Sequence, residues 1–255
     1  LRDPGSLKIA QGDNPTRWGY GMGRILMNYG LRFRLRRGKA YAKAWDAYLE
    51  GEGDKPEREL ELDIFRFLYA GDTQVSTHTQ YYQLVLMTIT MLARDFGLPT
   101  YIDHGSFDSY LTTPLAKEFG VGAILGPREI MAPRAPRFDT DGRIEGTAWG
   151  FQEQGMVDIG FNTDAPVVPQ EELTTQAAMG VRYGLRNDRA QGLRGVTIIP
   201  ARTSGIADRV GSLERGKHAD ILVCNGDPID PRTHFDAVWV NGEKVYDAQS
   251  GGRAW

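Results

Sequence analysis

Residues 74–104 read QVSTHTQYYQLVLMTITMLARDFGLPTYIDH. The stretch begins with a short candidate strand that ends at His78, and it closes with a second candidate strand that ends at His104. Between them, Tyr82–Phe96 carries apolar residues at helical spacing and stops at an Asp-Phe-Gly sequence, which is typical of a helix end. A strand, a helix and a strand in this order predict a parallel βα unit.

The same alternation continues on both sides of this unit. Further strands are predicted at Leu7–Ala10, Val121–Leu125 and Met156–Phe161, and further helices at Gly38–Leu49, Glu57–Tyr69, Leu111–Phe119 and Glu171–Tyr183. The proline-rich segment Gly126–Gly155 interrupts the rhythm, and a loop of this length is usually a lid or a binding loop. The pattern predicts an α/β fold of parallel βα units over residues 1–205.

The last fifty or so residues have a different character. Three short β segments are predicted at Ala219–Val223, Ala237–Val240 and Lys244–Tyr246. The dipeptide Asn241-Gly242 joins the last two and is a strong signal for a two-residue hairpin. Residues 206–255 are therefore expected to form a small β appendage on the α/β body.

The composition of the chain narrows the class of protein. Its 255 residues are 41% hydrophobic and 25% charged, with a net charge of −3, which is ordinary for a globular protein and gives no general attraction to nucleic acid or to an anionic membrane. No apolar run is long enough to span a bilayer. The single cysteine, Cys224, excludes an internal disulfide, and no signal-peptide pattern is visible, so the compartment stays open.

Three potential metal ligands lie at predicted strand ends. His78 and His104 end successive strands, and Asp164 follows the strand predicted at Met156–Phe161. In a (β/α)8 barrel the active site is built from residues at these ends. Two imidazoles and one carboxylate that converge suit a divalent metal such as Zn²⁺, although structural histidines and a turn-capping aspartate remain the alternative.

Residues 206–223 read IADRVGSLERGKHADILV, which resembles the C-terminal signature of the amidohydrolase superfamily. The preceding segment Leu193–Arg202, the sequence NGDP at 225–228 and VWVNG at 238–242 extend the resemblance to the end of the chain. KIAQGDNP at residues 8–15 is similar to a segment of the same superfamily. Within it, the chain looks closest to imidazolonepropionase-like and Xaa-Pro dipeptidase-like metal-dependent hydrolases.

The resemblance implies a fold and a set of ligands. The fold would be the C-terminal part of a (β/α)8 TIM barrel, about strands 4 to 8, followed by the C-terminal strands of a small composite β domain. His78 and His104 would be the ligands on strands 5 and 6, and Asp164 the carboxylate of strand 8, which contacts metal and acts as general base. Lys8 falls where some members carry a carboxylated lysine on strand 4, so one or two divalent metals, with Zn²⁺ as the expected ion, would be bound.

The sequence departs from the family pattern at its first barrel strand. No His-x-His pair occurs, and no histidine precedes His78. Five strands cannot close an eight-stranded barrel without exposed edges, so we expect a second chain or an N-terminal segment to complete it. A homo-oligomer is also compatible with this expectation.

The resemblance and the candidate ligands together predict hydrolysis of an amide or cyclic C–N bond by metal-activated water. The substrate would be a small molecule or a dipeptide, for example a proline-containing dipeptide or an imidazolone-like ring. Three arginines of the proline-rich segment are candidates for holding a substrate carboxylate: Arg128, Arg134 and Arg137. The alternatives are a non-catalytic or incomplete subunit that keeps the fold and needs a partner chain, and a mononuclear deaminase of the same superfamily.

Overall fold

A parallel sheet of five strands forms the centre of the molecule. The computed structural model describes residues 2–12, 23–127, 130–131 and 145–250. The strands of the sheet, in spatial and chain order, are β1 (Leu7–Ala10), β2 (Val75–Thr79), β3 (Thr100–His104), β4 (Gly122–Leu125) and β5 (Ile159–Phe161). Each strand is the spatial neighbour of the next one along the chain, as in a (β/α)8 barrel.

Helices occupy the connections between these strands and follow the last of them. They are α1 (Arg24–Leu49), α2 (Asp63–Ala70), α3 (Tyr82–Thr88, continued by a π-helical stretch Ile89–Asp95), α4 (Thr113–Glu118), α5 (Thr147–Glu153), α6 (Leu173–Arg182), α7 (Gln191–Gly195) and α8 (Ile198–Thr203). Short 3₁₀ turns lie at Phe107–Thr112, Gln170–Glu172 and Ala248–Ser250, and Ile130–Met131 pairs with Glu145–Gly146. The predicted fold class, a partial barrel of βα units, is confirmed.

A separate antiparallel sheet follows the barrel strands. It consists of β6 (Ile221–Cys224), β7 (Phe235–Val240) and β8 (Glu243–Asp247). Asn241 and Gly242 both adopt positive φ, at 52° and 82°, as a two-residue hairpin of type I′ requires. The predicted β appendage is therefore present, while its division from the barrel between residues 205 and 206 stays a prediction.

The two faces of the parallel sheet differ in polarity. Register partners in parallel strands share a face, and Ile102, Ala123 and Ile159 are such partners, buried together in the core beneath the helices. On the opposite face His78 is aligned with Asp103. The partners Lys8 and Ser76 add polar groups to this second face, whereas its β4 and β5 positions are Ile124 and Gly160. In a closed barrel this face would be the interior.

Helix α1 begins earlier than the sequence predicts. The sequence predicted a helix over Gly38–Leu49, whereas the helix runs from Arg24 through Gly38 to Leu49, because leucine, methionine and arginine before Gly38 are good helix formers. Gly38 lies inside the helix at the crossing with α2, where the ring of Phe65 packs against it. Despite the length of α1, no helix in the described part of the chain is apolar enough to cross a membrane.

Gly38 gives a test of this packing. Alanine normally favours a helix interior over glycine by about 1 kcal/mol. At Gly38, however, a Cβ would lie 2.3 Å from a ring carbon of Phe65, and overpacking of this kind costs about 1–3 kcal/mol. We expect Gly38→Ala to lower the free energy of unfolding, and Gly30→Ala, whose Cβ meets nothing within 4 Å in the same helix, to raise it. Urea denaturation of both variants measures the difference; stabilisation by both would contradict the packing.

Helix α5 was not expected, because the segment Gly126–Gly155 was predicted to be a loop. Within it, residues Thr147–Glu153 form a helix whose Ala148 and Phe151 are fully buried in the main core. The prolines and the Asp141-Gly142 turn signal lie upstream of this helix, so the loop prediction was wrong for its last part. Through these two residues the helix packs in the same core cluster as Leu125 of β4 and Ile159 of β5.

Candidate metal centre

The carboxyl ends of β2 and β3 bring two histidines into contact. The ring centroids of His78 and His104 are 4.3 Å apart, with the ring planes at 72°. Both side chains are buried, with relative exposures of 7% and 2%. Two residues separated by a whole βα unit thus meet at one point, as the sequence predicted for strand ends in a barrel.

The backbone at His104 departs from an ordinary strand. By alternation His104 would follow Ile102 toward the helices, but its φ is 84°, and Gly105 follows with a φ of 50°. Positive φ at a residue other than glycine is unfavourable and is concentrated at functional sites. The positive φ at His104 therefore occurs at the residue whose ring contacts His78.

The protonation pattern of His104 follows from its hydrogen bond. Its Nδ1 lies 2.6 Å from the carbonyl oxygen of Gly126. A carbonyl oxygen can only accept, so Nδ1 carries the hydrogen and donates it. In the neutral ring, Nε2 then has a free lone pair, and a hydrogen bond of this kind to a backbone carbonyl is the usual way to orient a metal-binding imidazole.

Both histidines present an unpaired buried nitrogen. The Nε2 atoms of His78 and His104 are inaccessible to solvent and have no hydrogen-bond partner within the described residues. Burial lowers the pKa of His78 to about 4, with smaller contributions from His104 and Lys8, so its ring is neutral at pH 7. Buried polar atoms without partners are costly, and a divalent cation bound to the two lone pairs would satisfy them.

Asp164 lies beside the two imidazoles. It follows β5 by three residues, has a φ of 50°, and places Oδ1 3.9 Å from Nε2 of His104. Its side chain is 40% exposed. Because Zn–N and Zn–O distances are about 2.0–2.2 Å, a single ion between these two atoms could contact both.

The three side chains do not form a finished ligand set as they stand. Within residues 2–12, 23–127 and 145–250, no group of three or more His, Cys, Asp or Glu side chains is arranged to hold an ion at once. The rings of His78 and His104 are in contact, whereas Asp164 is 40% exposed and its carboxylate lies 3.9 Å from His104 alone. Imidazole nitrogen and carboxylate oxygen are both common zinc ligands. A metal site at these three residues is therefore a proposal.

Asp103 organises a polar network that the sequence analysis did not identify. Its carboxylate pairs with the Lys8 ammonium group and accepts hydrogen bonds from Ser76 Oγ and Asn162 Nδ2, both at 3.1 Å. The available signals were the position of Asp103 directly before His104 and of Asn162 at the end of β5. This network joins four of the five strands on the polar face of the sheet.

The predicted metal ligand Lys8 is a member of that network. It lies on β1, is about half exposed, and its amino group contacts Asp103 and Ser76 instead of an imidazole. Carboxylation by CO₂ requires an amine with a free lone pair, whereas here the Lys8 amino group donates to the Asp103 carboxylate. Lys8 as a carboxylated ligand therefore stays a prediction, and it would require Lys8 to leave Asp103.

The predicted carboxylate-binding arginines cannot be placed. Arg128, Arg134 and Arg137 lie outside the described residues. Their role in substrate binding stays a prediction from the sequence.

Comparison with known protein sequences finds similarity to amidohydrolases. A model of the amidohydrolase family matches residues 147–251. The amidohydrolase tasK of Hapsidospora irregularis is 35% identical over 95 residues, which cover 37% of this chain and 9% of that protein.

Solved structures extend the similarity to the barrel. An amidohydrolase from Thermotoga maritima MSB8 has 26% identity and a TM-score of 0.79, over 97% of this chain and 64% of that one. An adenosine deaminase from Xanthomonas campestris with bound zinc has 18% identity and a TM-score of 0.50, over 94% and 60% respectively, and shows the fold alone. The chain thus spans less than two thirds of the length of these relatives.

Proposed function

Because the chain belongs to the amidohydrolase superfamily, we propose that it carries part of the active site of a metal-dependent hydrolase acting on an amide or cyclic C–N bond. The observation that carries the proposal is the pair of buried, unpaired Nε2 atoms of His78 and His104 at the carboxyl ends of adjacent strands. A purely structural pair of histidines would be expected to have hydrogen-bond partners.

His78 and His104 would hold the cation through their Nε2 atoms. A divalent metal such as Zn²⁺, when bound, polarises a carbonyl and lowers the pKa of a coordinated water to near 7. The Gly126 carbonyl keeps the His104 hydrogen on Nδ1, so that Nε2 stays free to bind. Burial keeps His78 neutral for the same purpose.

Asp164 is the proposed proton carrier. Its carboxylate is close enough to the imidazoles to reach a water in the same space, and its exposure leaves it free to accept the proton of the attacking water. The same oxygen can then deliver that proton to the leaving nitrogen of the cleaved bond.

The edge strands of the described sheet support the expectation that further strands complete the barrel. Among the described residues, β1 pairs in this sheet only with β2, and β5 only with β4. Edge strands of a parallel sheet are normally covered, and barrel closure is the usual means. We therefore retain the proposal that a second chain or an N-terminal segment adds strands here, together with the remaining metal ligands.

Metal analysis and a substrate panel test the proposed function together. The purified protein is assayed for bound zinc by elemental analysis, and for hydrolysis of N-acyl amino acids, proline-containing dipeptides and cyclic amides. We expect about one or two metals per assembled unit and hydrolysis that is lost on chelation and restored by zinc. Ammonia release from purines or pyrimidines would indicate the deaminase alternative, and a folded protein with neither metal nor activity would indicate a non-catalytic subunit.

A further inference from the structure

Two aromatic rings stack on each other beside the candidate metal centre. Tyr81 and Phe107 have ring centroids 4.7 Å apart and planes within 5° of parallel. Each residue follows one of the two histidines by three positions, Tyr81 after His78 and Phe107 after His104. Three residues span at most about 11 Å, so the stack lies at the same mouth of the sheet.

The two loops that carry the rings are fixed to each other. The backbone N–H of Tyr82 donates to the Asp108 carboxylate at 3.4 Å, and the 3₁₀ turn Phe107–Thr112 begins at the stacked ring. The hydrogen bond and the ring stack thus connect the loops that follow β2 and β3.

The backbone of Phe107 indicates that its ring is needed at this place. Phe107 has a φ of 59°, in the left-handed region that glycine adopts most easily and that is unfavourable for a bulky residue. Such conformations persist where the surroundings hold them and are concentrated at ligand sites. Packing of the core does not account for the ring, because neither buried cluster of the described residues includes Tyr81 or Phe107.

The stack remains partly open to solvent. Tyr81 and Phe107 are half-buried, while Leu84 and Val85 one turn along α3 are fully covered. Ligand pockets are typically lined by aromatic side chains with a few polar groups at the reacting end. A substrate bound at this mouth could place its reacting bond at His78, His104 and Asp164 and an aromatic group on the stack.

We propose that Tyr81 and Phe107 form the substrate subsite for a planar aromatic ring, so that the preferred substrates are amides carrying an aryl group next to the cleaved bond. The inference rests on the proposed function, since it takes the reacting bond to lie at the histidines. A planar aromatic group of the substrate can stack on one of these partly exposed rings, whereas a methyl group in its place cannot. Tyr81 and Phe107 would be specificity-determining residues that contact the substrate and take no part in proton transfer.

Binding of N-benzoylglycine and N-acetylglycine tests the subsite. The two ligands differ in the ring, and their dissociation constants are measured by titration calorimetry on the whole protein, with and without added zinc. We expect the benzoyl compound to bind about tenfold more tightly, as the worth of one aromatic stack predicts. Phe107→Leu and Tyr81→Leu should each reduce this ratio to about two or three, and Tyr81→Phe should retain it.

The control is Leu111→Ala, which removes an apolar side chain that is 50% exposed in the same 3₁₀ turn. It should leave the ratio unchanged. Equal binding of both ligands to the unmodified protein, or equal weakening of both by the leucine variants, would overturn the subsite. A ring preference without hydrolysis of any amide would reject the proposed function and leave the subsite, while hydrolysis without ring preference would reject the subsite alone.

Discussion

Replacement of Asp164 by Asn is expected to lower kcat for amide hydrolysis by about 10²–10⁴-fold, the range typical for loss of a general acid–base. The amide cannot accept the proton of the attacking water, but it has nearly the same size and keeps one oxygen toward the imidazoles. Zinc affinity should fall less than on loss of an imidazole ligand, because the amide oxygen can still contact the metal and His78 and His104 are unchanged, and excess zinc should not restore kcat. The measurement is steady-state hydrolysis with elemental analysis of the same preparations.

Asp158 supplies the matched control for this variant. It lies just before β5, at the opposite end of the strand from Asp164, is about half exposed, and faces Arg202 at 3.6 Å. Asp158→Asn should change kcat less than twofold, since surface ion pairs contribute little. Similar losses from both substitutions would point to a general effect on β5 and would remove Asp164 from the mechanism.

The strands were predictable from the sequence because each one is short and bounded by turn residues, and most of them are apolar on the helix side. Leu7–Ala10 was predicted to the residue, and the strands ending at His78 and His104 were predicted to within two residues. Their parallel order followed from the helices between them. The contact between His78 and His104 then followed from the geometry of strand ends.

Tertiary contacts decided the features that the sequence did not predict. The helix across Gly38 depends on the Phe65 ring of another helix, and α5 depends on burial of Phe151, neither of which shows in local periodicity. The contacts of Asp103 with Lys8 and Asn162 join residues more than fifty positions apart. Only strand register brings such residues together, and register is not readable from one sequence.

Replacement of His78 by Phe is expected to weaken zinc binding by more than about 100-fold, since loss of a supporting group alone typically costs 10- to 100-fold in metal affinity. The new ring is flat and similar in size, and it removes a buried nitrogen that has no partner in the described structure. Without zinc, the free energy of unfolding should therefore change by less than about 1 kcal/mol. Competition with a chromogenic chelator measures the affinity, and urea denaturation of the metal-free protein measures the stability.

His104→Phe distinguishes a ligand from a structural residue. It should lose zinc to the same extent, but it also removes the hydrogen bond to the Gly126 carbonyl and should destabilise the metal-free protein by about 1–3 kcal/mol. His234→Gln, at a site 68% exposed in the β appendage, should change neither quantity. If His78→Phe destabilised the metal-free protein as much as His104→Phe and left zinc affinity unchanged, the two imidazoles would be a structural pair, and their unpaired nitrogens would need another explanation.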